Sequence, residues 1–385
     1  MPRLRNALML GCTLAGLLAA LPAAAQTIKF GVISPLTGGG APWGIAAAEA
    51  MRMVAEEYNS KGGMQVGGKT YKVEIISYDD QYKAAEAVAA YNRLRDRDGV
   101  KIMLIHTSPS AVALKQAVED DKIAAICSCA SPNAVTADTK FMTRMQSTAD
   151  DYLPGMIKWF ADNLKERRFV LVNPNDEVGQ PFEKQLMPEY KKNGFEILEA
   201  VRYEREAKEF GPLVTRILAL KPEAIDLGGT APATTGLMVR QIREQGYNGL
   251  ILKTAAPSPR EIVAAAGKEA AEGMILNLFA DQSNPGFKEI AARYKANRGH
   301  EANEMIVPVY DGAKALFRAV ELSGDPNDTT RIVAAFHKAL PMKSVQGDEL
   351  VMTGQKIIGA ERQILSTEYI GAIRNGEPVV LGKFR

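Results

Sequence analysis

The stretch Ile28-Lys-Phe-Gly-Val-Ile-Ser34, closed by Pro35 and the glycines Gly38-Gly39-Gly40 and followed by Trp43–Asn59, carries the architecture. Ile28–Ser34 is short, apolar and bounded by a proline and a glycine cluster, the signature of a strand buried on both faces. In Trp43–Asn59, Ile45, Ala48, Met51, Met53, Val54 and Tyr58 recur at roughly helical spacing, and Gly62-Gly63 stops the helix. Working outward, Val73–Tyr78 reads as a strand, Ala84–Arg97 as a helix, Lys101–Ile105 as a strand, Ser110–Asp121 as a helix and Ile123–Cys127 as a strand. Buried strands alternating with amphipathic helices predict a parallel sheet covered on both faces.

The pattern restarts after residue 150. Helices are expected at Tyr152–Lys165, Pro181–Lys192, Phe210–Leu220 and Thr235–Gln245. Strands are expected at Phe169–Val172, Glu196–Tyr203, Ile225–Leu227 and Leu250–Lys253. The reading is α/β, two doubly wound units in tandem. From Met274 the pattern loosens, with clear helices only at Val309–Leu322 and Thr329–Leu340. Asn375-Gly376 marks a hairpin between Ser366–Arg374 and Glu377–Leu381. No internal sequence repeat is seen.

The N-terminus predicts where the chain works. Arg3 and Arg5 precede an apolar run, Ala7–Leu21, and Ala23-Ala24-Ala25 supplies small residues for cleavage before Gln26. The run is shorter than the ~20 residues of a membrane-spanning helix, so residues 1–25 read as a secretory signal peptide and the mature chain as periplasmic. Cleavage before Cys12, as in a lipoprotein, would leave too short an apolar segment. The whole chain has 47 Lys+Arg and 45 Asp+Glu; losing Arg3 and Arg5 leaves 45 of each. A neutral chain without a basic tract gives no support to nucleic-acid binding.

Motifs for chemistry fail in turn. Trp43 stands where a dinucleotide fingerprint needs its third glycine, for close helix–strand packing. There is no nucleophile elbow, phosphate-binding loop or H-E-x-x-H motif, and no cofactor or metal is expected. Of the three histidines, His106 ends an apolar strand and reads as a satisfied structural residue, while His300 and His337 lie in polar segments. Asp79-Asp80 suits orienting a loop or capping a helix. Cys127 and Cys129 read as small buried residues, not as a staple, redox pair or metal site. What the chain offers is hydroxyl-rich loops after strands: Thr107-Ser108-Pro109-Ser110, Ser128-Cys129-Ala130-Ser131 and Gly229-Thr230-Ala231. Ligands of open α/β sheets bind beyond the carboxyl ends of strands, where hydroxyls, amides and helix N-termini suit a carboxylate.

Those segments are similar to a known family. Ile28–Gly38, Ala47–Gly63 with its Glu57-Tyr-Asn-Ser-Lys-Gly-Gly end, Tyr78-Asp79-Asp80, Ser128–Thr136, Phe210-Gly-Pro-Leu-Val, Gln241-Ile-Arg-Glu-Gln-Gly, Ala271-Glu-Gly and Tyr310-Asp311-Gly312 occur in matching order. The chain resembles type I periplasmic solute-binding proteins of ABC importers, the leucine/isoleucine/valine-binding class. The resemblance implies two Rossmann-like lobes joined by a three-strand hinge. Lobe 1 would hold residues 26–148 and 280–366, and lobe 2 residues 149–279 and 367–385, with crossovers near Gln146–Asp150, Leu278–Asp281 and Thr367–Tyr369. The implied partners are a small carboxylate or amino acid and an inner-membrane ABC permease, and the implied state is a monomer.

By the same resemblance Trp43 is the aromatic wall and Ser108 receives the ligand carboxylate. Cys129, Ala130 and Ser131 hold the ligand head, Thr230 takes the place of an aromatic in the second lobe, and Ala255 that of the acid that pairs with a ligand ammonium. Thr230 and Ala255 depart from the family pattern. With no acid at Ala255, unless Asp281 or Asp176 replaces it, the ligand is expected to be a carboxylate, possible aromatic acids included, without a required amine. The family's disulfide is absent, with Tyr82 and Thr107 at its positions. A sensory receptor on the same fold is the alternative function. A secreted α/β enzyme would need a nucleophile with a base, and none is seen.

Overall fold

Phe30, Val32 and Ile33 are completely buried because their strand lies at the centre of a sheet. The computed structural model describes residues 26–176 and 178–383; residues 1–25, expected to be a signal peptide, lie outside the described residues. In chain order the strands of the first half are β1 (Gln26–Ser34), β2 (Met64–Val66), β3 (Lys69–Asp79), β4 (Ile102–His106), β5 (Ala124–Ser128) and β6 (Met142–Arg144). Their helices are α1 (Ala41–Ser60), α2 (Ala84–Asn92) and α3 (Ser108–Asp120). β1 pairs in parallel with β3 on one side and β4 on the other. Phe30 and Val32 join the core under α1, and Ile33 that under α2 and α3, so the strand is apolar on both faces. The helix expected to reach Arg97 changes at Arg93–Arg97 to a wider π turn, closed by Gly99 at φ +69°.

The second half holds β7 (Arg168–Pro174), β8 (Glu196–Tyr203), β9 (Ala224–Asp226), β10 (Leu250–Lys253) and β11 (Ile275–Leu278), with α4 (Ala149–Asn163) and α5 (Gly179–Lys192). The tail adds β12 (Met342–Lys343), β13 (Glu349–Thr353), β14 (Gln363–Leu365), β15 (Tyr369–Arg374) and β16 (Glu377–Lys383). Two sheets result. One has the order β12-β13-β14-β6-β5-β4-β1-β3-β2, the other β16-β15-β11-β10-β9-β7-β8. The central strands of each are parallel, and β15–β16 is an antiparallel hairpin turning at Asn375-Gly376, where both residues have positive φ.

The chain passes between the sheets three times, after β6, after β11 and after β14. The first and third passes are joined, since the Ser147 hydroxyl donates to Ser366 O at 3.1 Å. The first is also fixed by a capping box in which Thr148 and Asp151 close the N-terminus of α4. Helices Pro285–Arg298, Ile306–Ser323 and Thr329–Ala339 return to the first lobe, where Phe317 stacks on Phe30 at 4.2 Å between ring centroids. Among the described residues no helix is long and apolar enough to cross a membrane.

Candidate functional site

Residues that follow the carboxyl ends of parallel strands in both sheets, among them Ser108, Cys129, Gly229, Ala255 and Phe279, line one cleft, the place where open α/β sheets bind ligands. On the lobe 1 side, Thr107 joins β4 to α3 with φ 87°, a conformation strained for a β-branched residue. Its hydroxyl donates to Ser110 Oγ at 3.1 Å, and that hydroxyl donates to Asp80 Oδ2 at 2.6 Å. Asp80 Oδ1 accepts from Tyr82 N at 2.9 Å, and Asp79 accepts from Leu36 N and Gln81 N, both at 2.8 Å. The acidic pair therefore orients loops. Burial pushes the Asp80 carboxyl up to about 6, against the hydrogen bonds it accepts.

This turn places Ser108 at the N-terminus of α3. Its Oγ accepts from Ala130 N at 3.1 Å and Ser131 N at 3.0 Å. With both lone pairs engaged, the hydroxyl proton is left to donate into the cleft. A carboxylate oxygen there would also meet the positive end of the α3 dipole.

On the lobe 2 side, a buried polar network shapes the floor. Lys253 donates to Gly228 O and to Ala255 O, the latter at 2.6 Å. Gly228 N donates to Asp226 Oδ1 and Gly229 N to Asn173 Oδ1, both at 2.9 Å. Tyr190 donates to Asp226 Oδ2 at 2.9 Å. Burial pushes the Lys253 ammonium down to about 7 and the Asp226 carboxyl upward.

The lobes touch across the cleft mouth. The Trp43 indole donates to Ser258 Oγ at 2.6 Å, and Asn303 Nδ2 donates to the same oxygen at 2.8 Å and to Glu261 Oε1 at 2.7 Å. Trp43 therefore packs in the core of its own lobe and also reaches the other. The Arg205 guanidinium sits 5.0 Å from the centroid of the Tyr82 ring.

Five of the seven sequence-derived positions line the cleft: Trp43, Ser108, Cys129, Ala130 and Ala255. Ser131 and Thr230 do not. Ser131 turns its hydroxyl to Asn133 N as the cap of a short 3₁₀ turn, and Thr230 is buried behind Gly229, which does line the cleft. Residues not singled out from sequence complete the wall: Tyr82, Tyr152, Phe182, Phe279, Met305 and Gln146. They come from loops, helix starts and crossovers far apart in the chain, and none carries a local motif. His106, read as satisfied, also lines the cleft, and its buried Nδ1 has no partner among the described residues. Burial pushes its imidazole down to about 4, so it is neutral at pH 7.

Among the described residues no Asp, Glu, Lys or Arg lines the cleft. Asp176, a candidate replacement acid, is held by Arg205 and by Val178 N and Gly179 N. The other, Asp281, accepts from Ser283 N at 2.8 Å and Ser283 Oγ at 2.7 Å. Among the described residues no group of three or more His, Cys, Asp or Glu is arranged for a metal.

Comparison with known proteins places this architecture. The leucine-, isoleucine-, valine-, threonine- and alanine-binding protein of Pseudomonas aeruginosa is 24% identical over 331 residues, covering 85% of this chain and 87% of that protein. A leucine-binding protein from Thermotoga maritima superposes with TM-score 0.81 at 21% identity, over 92% of this chain and 98% of its own. An ABC transporter solute-binding protein from R. palustris, solved with benzoate, superposes with TM-score 0.77 at 18% identity, over 93% and 96%. The periplasmic binding protein family matches residues 27–376, and the chain belongs to that family.

Proposed function

We propose that this chain is the exported solute-binding component of an ABC importer and that its ligand is an aromatic carboxylate without a required amine. Residues 1–25 would direct export to the periplasm. The lobes, residues 26–148 with 280–366 and 149–279 with 367–385, would close about the three crossovers and present the closed form to an inner-membrane permease.

The observation that carries the ligand class is the composition of the cleft wall: aromatic and neutral, with no ionised side chain among the described residues. An α-amino acid would bring an ammonium into a closed cleft that, among the described residues, offers no carboxylate to pair with it, and an unpaired buried charge is costly. A carboxylate meets the Ser108 hydroxyl and the α3 N-terminus, while Trp43, Tyr82, Tyr152, Phe182 and Phe279 supply flat apolar surface for a ring. The benzoate in the R. palustris protein supports the same class. The match to the periplasmic binding protein family favours capture over catalysis.

A thermal-shift titration tests this. A ligand that binds only the folded state stabilises it by ~2.7 kcal/mol at a hundredfold excess over Kd. Benzoate is expected to raise the melting temperature with concentration and leucine to leave it unchanged. A shift with leucine and none with benzoate overturns the proposed class.

A further inference from the structure

Cys127 ends in a different setting from the inert pair the spacing suggests. It is the fourth residue of β5, fully buried, and its Cα partner on the neighbouring parallel strand is Arg144. Cys129 lies just past the strand and forms part of the cleft wall. The two Sγ atoms are 2.7 Å apart, and both thiols are free. Arg144 is fully buried, donates to Ser131 O at 2.7 Å and to Gln363 Oε1 at 3.1 Å, and its Nε has no partner among the described residues. A buried guanidinium beside two thiols favours a thiolate on one of them.

We propose that Cys127 and Cys129 form a reversible dithiol–disulfide site opening on the ligand cleft, with Cys129 the attacking thiol and Cys127 the resolving one. The division of labour follows from position. Cys129 can be reached through the cleft and Cys127 only past it. Burial pushes both thiols up. The Cys127 hydrogen bond and Arg144 then bring Cys129 below its ordinary value, while Cys127 stays well above its own.

The chemistry balances with an external disulfide as oxidant, a small thiol's disulfide or a protein disulfide. The Cys129 thiolate attacks one oxidant sulfur, forms a mixed disulfide and expels the first thiolate. The Cys127 sulfur then attacks Cys129 Sγ, gives up its proton to solvent and expels the second thiolate. Two protein thiols are oxidised and one oxidant disulfide is reduced to two thiols. A bond closing so small a ring is strained and readily reversed by a reductant. It also acts on the ligand site, because Cys129 precedes the Ala130 and Ser131 amides held by Ser108 Oγ, and Arg144 grips Ser131 O.

The test is exposure of the folded full chain to oxidised glutathione, followed by trypsin and mass analysis of Ile123–Lys140, which contains both cysteines and excludes Cys12. Wild type is expected to lose the mass of two hydrogens in this peptide and to regain it with dithiothreitol. Cys127→Ser should instead hold one glutathionyl group on Cys129, and Cys129→Ser should take up none. Limiting iodoacetamide on wild type, which needs no variant to fold, should label Cys129 before Cys127. A wild-type peptide that keeps both thiols, or labelling of Cys127 first, overturns the proposal. The proposal is independent of the ligand class, since it reads thiol chemistry alone.

Discussion

Ser258→Ala isolates the closure of the lobes from the binding of the ligand. Ser258 does not line the cleft, and its hydroxyl caps no helix, although it precedes helix Pro259–Ala266. What it does is accept from Trp43 Nε1 at 2.6 Å and Asn303 Nδ2 at 2.8 Å, both reaching from the other lobe. In an open form both donors meet water, so the substitution leaves that form unchanged. In the closed form each loses a hydrogen bond worth ~1 kcal/mol net. The donors keep weaker or separate partners, Pro257 O at 3.3 Å for the indole and Glu261 Oε1 at 2.7 Å for the amide, so the loss stays near ~2 kcal/mol rather than the larger penalty of orphaned groups. A ligand that binds only the closed form loses that difference in full, so its Kd should rise about 30-fold. Isothermal titration with the ligand that shifts the melt is the assay, with unliganded thermal unfolding as control. A Kd within twofold of wild type at unchanged unfolding temperature would refute the latch.

Three further substitutions probe different parts of the molecule. Ala255→Asp places a carboxylate in the cleft wall; if a ligand ammonium would sit beside it, as we propose, titration calorimetry should show leucine binding strengthened by ~1.5–3 kcal/mol and benzoate binding weakened. Gly44→Ala drives a Cβ to 1.9 Å from Pro35 O, backbone that cannot step aside, and denaturant unfolding should show a loss of about 2–3 kcal/mol. Lys253 tests pH linkage. Its folded-state value of about 7 lies below the ordinary 10.5, so between those values the unfolded chain holds the proton that the folded chain has lost. Its contribution to stability therefore rises with pH through that window, by up to ~1.4 kcal/mol per pH unit. Lys253→Met should remove this part of the slope in denaturant melts at pH 7 to 9. An unchanged slope would mean that Lys253 titrates normally.

Local rules predicted most of the strands that are buried on both sides and most of the helices that cover them, because burial forces continuous apolar runs on a strand and 3.6-residue spacing on a helix. They missed β11, four buried residues inside the second sheet where the alternating pattern loosens, and β2, β6 and β12 to β14, which are two to five residues long and lie at the edges or joins of the sheet. β14 meets β6 through one residue pair, Gln363 and Arg144, and nothing in either segment announces the other. Helix Pro285–Arg298 was hidden by its polarity, since only Phe287, Ile290 and Tyr294 are buried. At the site, strand-end hydroxyls were legible from topology. The rings of Tyr152, Phe182 and Phe279 were not, because they reach the cleft only when the lobes are assembled. His106 is buried at its strand end, as expected of a structural residue, but the cleft beside it was not legible from the strand alone.

The failed dinucleotide fingerprint and the presence of the cleft have one cause. A helix leaving a strand end needs one residue without a side chain where it passes the strand's last carbonyl. In lobe 1 that residue is Gly44, whose Cβ would lie 1.9 Å from Pro35 O, one position later than the fingerprint expects. The preceding residue is turned ~100° around the helix and away from that contact. In lobe 1 it is Trp43, and it reaches the cleft and Ser258. Lobe 2 repeats the device without any repeat in sequence. Gly179 passes Pro174 O, where its Cβ would lie 2.0 Å away, and the residue before it, Val178, lines the same cleft. In lobe 1 the glycine's shift by one from the fingerprint thus places Trp43 at the helix mouth, where a dinucleotide's pyrophosphate would need bare backbone, and Val178 holds the matching place in lobe 2. Each lobe thus contributes an apolar side chain to the cleft wall from the mouth of a helix.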